Sequence, residues 1–180
     1  TWSDPVVIRN TPLDDRDAGL VETTDGTLIT TWFTGVCPEE EYKAHVATLS
    51  SEVRERWLGH WTQRSTDSGV TWEEPVRSVG STPHGPIVND EGKLLFLGSG
   101  TFDGTQGLTV EESTDHGRSW QVIGRVPQPE GIGLGEPYMC EAKSGKLIGM
   151  FRFGTSNLQE KFMYQGESLD GGCTWTVPVK

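Results

Sequence analysis

The sequence predicts an all-β chain built from repeated four-stranded antiparallel sheets, the blades of a β-propeller. Three observations predict it. The first is a phrase that recurs three times, Ser65-Thr66-Asp67-Ser68-Gly69-Val70-Thr71-Trp72, Ser113-Thr114-Asp115-His116-Gly117-Arg118-Ser119-Trp120 and Ser168-Leu169-Asp170-Gly171-Gly172-Cys173-Thr174-Trp175. The second is a tight-turn signal between those phrases, at Asp25-Gly26, Glu91-Gly92 and Ser144-Gly145, each followed by an apolar strand. The third is composition: 23 Gly and 7 Trp, with helical periodicity nearly absent. Two turn signals and roughly four short strands per period describe a blade.

The elements follow in order. Thr1-Trp2-Ser3-Asp4-Pro5-Val6 matches Thr71-Trp72-Glu73-Glu74-Pro75-Val76 and Thr174-Trp175-Thr176-Val177-Pro178-Val179. Residues 1–10 are therefore expected to be the outer strand of a preceding blade. The chain is expected to begin and end inside repeats, as a piece of a longer protein. Three blades are expected over residues 16–77, 84–126 and 136–180. In the first, the strand before Asp25-Gly26 is the innermost, and Thr27-Leu28-Ile29 opens the second. Residues 37–57 break the β pattern with Glu39-Glu40-Glu41-Tyr42-Lys43 and Glu52-Val53-Arg54-Glu55-Arg56, an insertion expected to be a charged loop or a short helix over a site.

In the repeated phrase the Asp carboxylate accepts backbone N–H bonds within a turn, and Gly supplies a positive φ. The Trp is expected to start the next strand and pack between layers. Asp67, Asp115 and Asp170 are thus read as structural residues.

Composition excludes several functions. A formal net charge of −11 argues against nucleic acid or an anionic membrane surface as partner. No apolar run is long enough for a transmembrane helix. Cys37, Cys140 and Cys173 show no metal-ligand spacing and are odd in number, so neither a metal site nor a disulfide framework is expected. Cys140, in an apolar strand, reads as a small core residue. No cofactor is expected.

In a propeller the innermost strands start near the axis, where ligands bind. Counting back from the turns, Arg16 lies ten residues before Gly26, His84 eight before Gly92, and Glu136 nine before Gly145. Three polar residues of catalytic type thus open three successive apolar strands.

These phrases and their order resemble the sialidases (neuraminidases). The resemblance rests on the three Asp-box phrases and on Arg16 with its spacing to Asp25-Gly26. It rests also on Gly135-Glu136-Pro137, followed by Ser144-Gly145-Lys146 and then Arg152. It covers most of the chain. It implies a six-bladed propeller, of which this chain is about half. It implies an exo-acting glycoside hydrolase that releases a terminal sialic acid or a related acidic sugar. Arg16 and Arg152 then correspond to two of three arginines that bind the sugar carboxylate, a match that bidentate guanidinium geometry explains. Glu136 corresponds to the glutamate that draws a proton from a nucleophilic tyrosine. That tyrosine and the third arginine would lie beyond Lys180. Where the family has its acid/base aspartate, this chain has Glu39, Glu40 and Glu41. His84 is expected to touch substrate or to cap its strand, and Asp17 to bind substrate or to serve as a substitute acid. The expected partners are an acidic or sialylated glycan and the remaining blades. The resemblance favours an extracellular or periplasmic location. The alternative is a propeller that binds glycan or protein without turnover, since a scaffold does not dictate chemistry.

Overall fold

In the computed structural model, residues 1, 3–153 and 161–180 are described; Trp2, the tryptophan of the partial first phrase, falls outside them. The described residues form three antiparallel sheets that follow one another along the chain. The first contains β1 (Asp14–Glu22), β2 (Leu28–Gly35), β3 (Gly59–Ser65) and β4 (Val76–Ser78), hydrogen-bonded in chain order. The second contains β5 (Gly80–Ser81), β6 (Ile87–Val88), β7 (Leu94–Phe102), β8 (Thr105–Ser113) and β9 (Gln121–Val126). Its innermost strand is split: β5 and β6 both pair with β7, at its two ends. The third contains β10 (Leu134–Glu141), β11 (Leu147–Phe153) and β12 (Met163–Ser168), with a bridge from Gln165 to Val179 beyond it. The architecture is all-β and corresponds to half of a six-bladed propeller.

The repeated phrase folds the same way three times. The Asp67 carboxylate accepts from Thr71 N (2.8 Å), Thr71 Oγ1 (2.6 Å) and Ser65 Oγ (2.8 Å), while Ser65 Oγ accepts from Gly69 N (2.8 Å). Asp115 and Asp170 repeat every one of these bonds with Ser113, Gly117 and Ser119, and with Ser168, Gly172 and Thr174. Gly69, Gly117 and Gly172 have φ of 84°, 79° and 100°. The hydrogen bonds hold the carboxyls of Asp67 and Asp170 down to about 2, the Thr71 and Thr174 hydroxyls contributing most. The tryptophans do not open strands as expected; of the three, only Trp120 directly precedes one. Trp120 and Trp175 pack between sheets instead. Trp120 lies 5.8 Å from Phe96 and donates to Thr62 Oγ1 of the first sheet (2.9 Å), while Trp175 is buried in the core between the second and third sheets.

The insertion after β2 folds as two helices, α1 (Glu40–Thr48) and α2 (Ser51–Trp57). Glu40 and Glu41 lie in the first turn of α1, where the helix dipole favours them. Ser50 Oγ caps α2 by accepting from Val53 N (3.4 Å). Arg77 closes its other end. The guanidinium donates to the carbonyls of Glu55 (3.0 Å), Arg56 (2.7 Å) and Leu58, and sits 3.9 Å from the Trp61 ring. His45 Nε2 bonds the Pro12 carbonyl at 2.9 Å, tying α1 to the segment that enters β1. No described helix is long and apolar enough to cross a membrane.

Cys140 is exposed rather than in the core. Its neighbour Met139 takes the inward position at 2% exposure, because side chains alternate along a strand and the chain passes a bulge before Tyr138.

Candidate functional site

The site is built by an irregularity repeated in the innermost strands. In β1 the pairing runs Arg16↔Phe33, then Gly19↔Thr31, so Asp17 and Ala18 together oppose one residue. In β10 it runs Gly135↔Arg152, then Tyr138↔Met150, so Glu136 and Pro137 do the same. Asp17 and Glu136 both have positive φ, 58° and 45°. A left-handed conformation is costly for residues with a Cβ, and is kept where the surrounding structure imposes it. The bulge turns each carboxylate out of the alternating pattern of its strand. In the second sheet Ser81↔Ser99 marks the same rung, and Thr82 to Pro86 span the break before Ile87↔Leu95.

Arg16, His84 and Glu136 therefore do not occupy one equivalent position. The counterpart of Glu136 is Asp17, and that of Arg16 is Gly135. The distances to the turns agree with this, since Asp17 and Glu136 each lie nine residues before the turn glycine, and Arg16 and Gly135 ten.

A cleft of about 420 Å3 lies where the three sheets meet, lined by Asp17, Phe33 and His60, by Ser81, Thr82, Pro83, Ser99, Thr101 and Gln106, and by Glu136. Arg152 lines an adjoining recess of about 270 Å3 together with Glu136, and its guanidinium is hydrogen-bonded to the Glu136 carboxylate. Arg16 lies on the other side of Asp17, in a pocket of about 210 Å3 with Ile8, Arg9, Asp15 and Trp32. There it pairs with Asp14, which raises its affinity for its proton, and lies 5.9 Å from the Phe33 ring. His84 is not among the cleft's lining side chains. Its exposed ring meets Tyr138 edge-on at 5.4 Å.

Glu39, at the start of the helical insertion, accepts a hydrogen bond from the Cys37 thiol. That bond is the main cause holding its carboxyl below the usual range, with the Arg16 and Lys43 charges contributing less. The Tyr42 hydroxyl is buried without a partner. Burial raises its pKa first, and Asp14 and Asp15 add to the effect. Among the described residues, no group of three or more His, Cys, Asp or Glu side chains is arranged to hold a metal ion.

Of the residues singled out from the sequence, the structure thus brings Asp17 and Glu136 into one cleft and Arg152 to its edge. Sequence reasoning missed His60, Thr101 and Gln106. The hairpin that carries Thr101 and Gln106 had a visible signal in Asp103-Gly104, whose φ values of 50° and 72° make the tight turn. Thr101 Oγ1 donates to Gln106 Oε1 across it (2.8 Å). His60 carries no such signal.

A family model described as a BNR repeat-like domain matches residues 1–180. No curated protein matches the sequence. Among solved structures, a protein of unknown function from Dyadobacter fermentans DSM 18053 superposes with a TM-score of 0.76 at 19% identity, over 100% of this chain and 55% of that one. The GH93 α-L-arabinofuranosidase of Fusarium graminearum gives 0.63 at 19% identity, over 96% of this chain and 51% of that one. The NanB sialidase from Streptococcus pneumoniae gives 0.62 at 13% identity, over 92% and 39%. At such identities the likeness is one of fold. The chain spans about half the length, or less, of these three proteins.

Proposed function

The chain belongs to the BNR repeat-like domain family, and from that premise we propose that the whole protein is a propeller glycoside hydrolase that removes a terminal sugar at the cleft between the sheets. The observation that carries this reading is the meeting of Asp17 and His60 of the first sheet, Thr101 and Gln106 of the second and Glu136 of the third in one polar cleft with Arg152 at its edge. Solved relatives of the same fold include enzymes for both acidic and neutral sugars.

For an acidic sugar of the sialic type, the Arg152–Glu136 pair provides the chemistry. A substrate carboxylate takes over the guanidinium, a charge-assisted and bidentate contact. Glu136, released from Arg152, then draws the proton from a tyrosine supplied by the rest of the protein. Arg16 lines the neighbouring pocket and is paired with Asp14, so it binds the carboxylate only after that pair opens. Glu39 lines neither recess and its carboxyl is held below the usual range, so the acid for the leaving group comes, like the tyrosine, from the rest of the protein.

One observation favours a second reading, a neutral sugar such as a pentofuranoside. Both arginines already hold carboxylates of their own, and Asp17 and Glu136 place two acidic side chains in one cleft. Two carboxylates are the usual pair for hydrolysing a glycosidic bond. A propeller that binds glycan without turnover is the remaining alternative.

The deciding experiment assays the full-length protein on fluorogenic sialoside and arabinofuranoside, beside Arg152→Ala and Asp17→Asn. Under the acidic-sugar reading, sialoside is cleaved and Arg152→Ala loses on the order of 2–5 kcal/mol of substrate or transition-state binding. Under the neutral-sugar reading, Asp17→Asn is the damaging variant. Sugar binding without cleavage of either substrate favours the non-catalytic propeller.

A further inference from the structure

We propose that His60 is a sugar-hydroxyl-binding residue of the cleft, held in a single tautomer by the buried Glu111 acting through the Val79–Gly80 peptide. The sugar as ligand rests on the function proposed above; the tautomer does not.

Glu111 lies on β8 at 1% exposure, and no cation pairs with it among the described residues. An unpaired buried carboxylate is costly unless hydrogen bonds satisfy it. Here backbone amides do. Gly80 N donates to Oε1 at 2.9 Å, and Val79 N donates to both oxygens at 3.0 and 2.9 Å. Burial pushes the Glu111 carboxyl up, and the Gly80 and Val79 amides pull it back down. The segment they anchor is the crossing from the first sheet into the second, between β4 and β5.

The other end of the same peptide unit is the Val79 carbonyl, which is bonded to His60 Nδ1 at 2.6 Å. A carbonyl only accepts, so Nδ1 carries the proton. In the neutral ring Nε2 is then bare and can only accept. Carboxylate, peptide and imidazole form one chain in which each bond polarises the next. A negative oxygen on the N–H makes the carbonyl a better acceptor and tightens its hold on Nδ1–H. The arrangement is that of an imidazole oriented by a carboxylate, with one peptide interposed.

His60 is half-buried, sits opposite Phe33 in the first sheet and borders the cleft with Asp17 and Glu136. With Nδ1 engaged, Nε2 is the nitrogen left for a ligand. A neutral acceptor beside two carboxylates suits a group that only needs to donate a hydrogen bond, which a sugar hydroxyl does. Just beyond β5 the chain also meets the third sheet, where Thr82 Oγ1 donates to the Pro137 carbonyl, next to Glu136, at 2.5 Å.

The test uses full-length protein labelled with 15N-histidine. Long-range 1H–15N spectra, recorded where His60 is neutral, report which nitrogen carries the proton. The expected wild-type result is the Nδ1–H tautomer, with the Nε2–H form growing in Glu111→Gln. Arabinobiose and N-acetylneuraminic acid, titrated separately, should show binding of at least one sugar, with a shift of the Nε2 resonance. His60→Asn keeps a donor toward the Val79 carbonyl but removes Nε2. It should melt within a few degrees of wild type and bind that sugar at least tenfold more weakly. Finding Nε2–H in wild type, or the same tautomer ratio in Glu111→Gln, overturns the relay. If Glu111→Gln does not fold, the wild-type spectrum still decides. Binding of a sugar with no change at Nε2 overturns the ligand role of His60. Failure of both sugars to bind overturns the glycan reading and leaves the tautomer result standing.

Discussion

The two seams between the sheets are made of different material. The seam between the second and third sheets is apolar: Leu95, Leu97, Leu108 and Val110 meet Met139, Leu147, Phe151, Tyr164 and Trp175 in one buried cluster. The seam between the first and second sheets buries Ile29, Leu94 and Phe96, but with them Thr31, Thr62 and Thr109 at 0% exposure and Glu111 at 1%. There the backbones come close. A Cβ on Gly19 would lie 2.4 Å from the Gly85 Cα. Glycine is required at that crossing for space, and the adjacent threonines are narrow for the same reason. Close approach lets a hydrogen bond run between sheets, from Trp120 to Thr62, while on the same face Glu111 holds the connection out of the first sheet through the Val79 and Gly80 amides. The apolar seam supplies cohesion, whereas the polar seam sets positions, and the cleft opens at its end.

The largest expected effect breaks the apolar seam. Phe151 is fully buried, its ring within reach of Gly149 and Gly166. Phe151→Ala should cost about 3–5 kcal/mol of stability, the usual toll of removing a buried aromatic ring. Denaturant unfolding of the full-length protein measures it. A loss below about 1 kcal/mol would mean that cohesion resides elsewhere. Glu111→Ala attacks the polar seam and should cost less, on the order of 1–3 kcal/mol for orphaned buried amides, partly offset because the carboxylate no longer has to be buried. Its effect on sugar binding should exceed that of Phe151→Ala measured where both are folded. If the ranking of the two on binding is reversed, the division of labour between the seams is wrong.

The middle sheet also explains which parts of the molecule could be read from the sequence. The repeated phrase and the Asp25-Gly26 type of turn were legible because their bonds close within a few residues; Asp67 reaches no further than Thr71. The bulges at Asp17 and Glu136 were not, because an inserted residue is defined only against the opposite strand. Arg16 and Glu136 were grouped as equivalent although their distances to the turn glycines differ, ten residues against nine, and that difference was the legible sign that they sit on different rungs. β8 shows the same limit differently. Its alternation of Leu108 and Val110 with Thr109, Glu111 and Ser113 reads as one buried and one solvated face. Yet both faces are covered, since sheets lie on either side, and the polar face becomes the seam with the first sheet. Nothing local distinguishes a Glu facing water from one capping amides 31 residues away in sequence. His60 was invisible for the same reason, its partner being 19 residues on.

A smaller effect, and the sharpest contrast, comes from pH. Asp67 and Asp170 have carboxyls held near 2 by the hydroxyl and amide of Thr71 and Thr174. In the unfolded chain an aspartate titrates near ~3.9. The unfolded state therefore binds protons first as pH falls. The stability these two residues provide is fully present above ~4 and is lost between there and about 2. Glu111 has the opposite sign. Its folded carboxyl is raised by burial, so the folded state binds the proton first. Stability linked to Glu111 falls as pH rises from the ordinary glutamate range through its raised value. The two kinds of carboxylate thus oppose each other across the acid range. Asp67→Asn/Asp170→Asn should flatten the loss of stability below pH ~4, and Glu111→Gln should flatten the fall above the ordinary glutamate value of ~4.3. Melting temperature of the full-length protein against pH, for wild type and both variants, separates the slopes. If the Asp double variant keeps the wild-type acid slope, the repeated turns are not what acid breaks. If Glu111→Gln keeps the slope above it, the polar seam carries its charge at no cost, and the contrast between the seams narrows to packing alone.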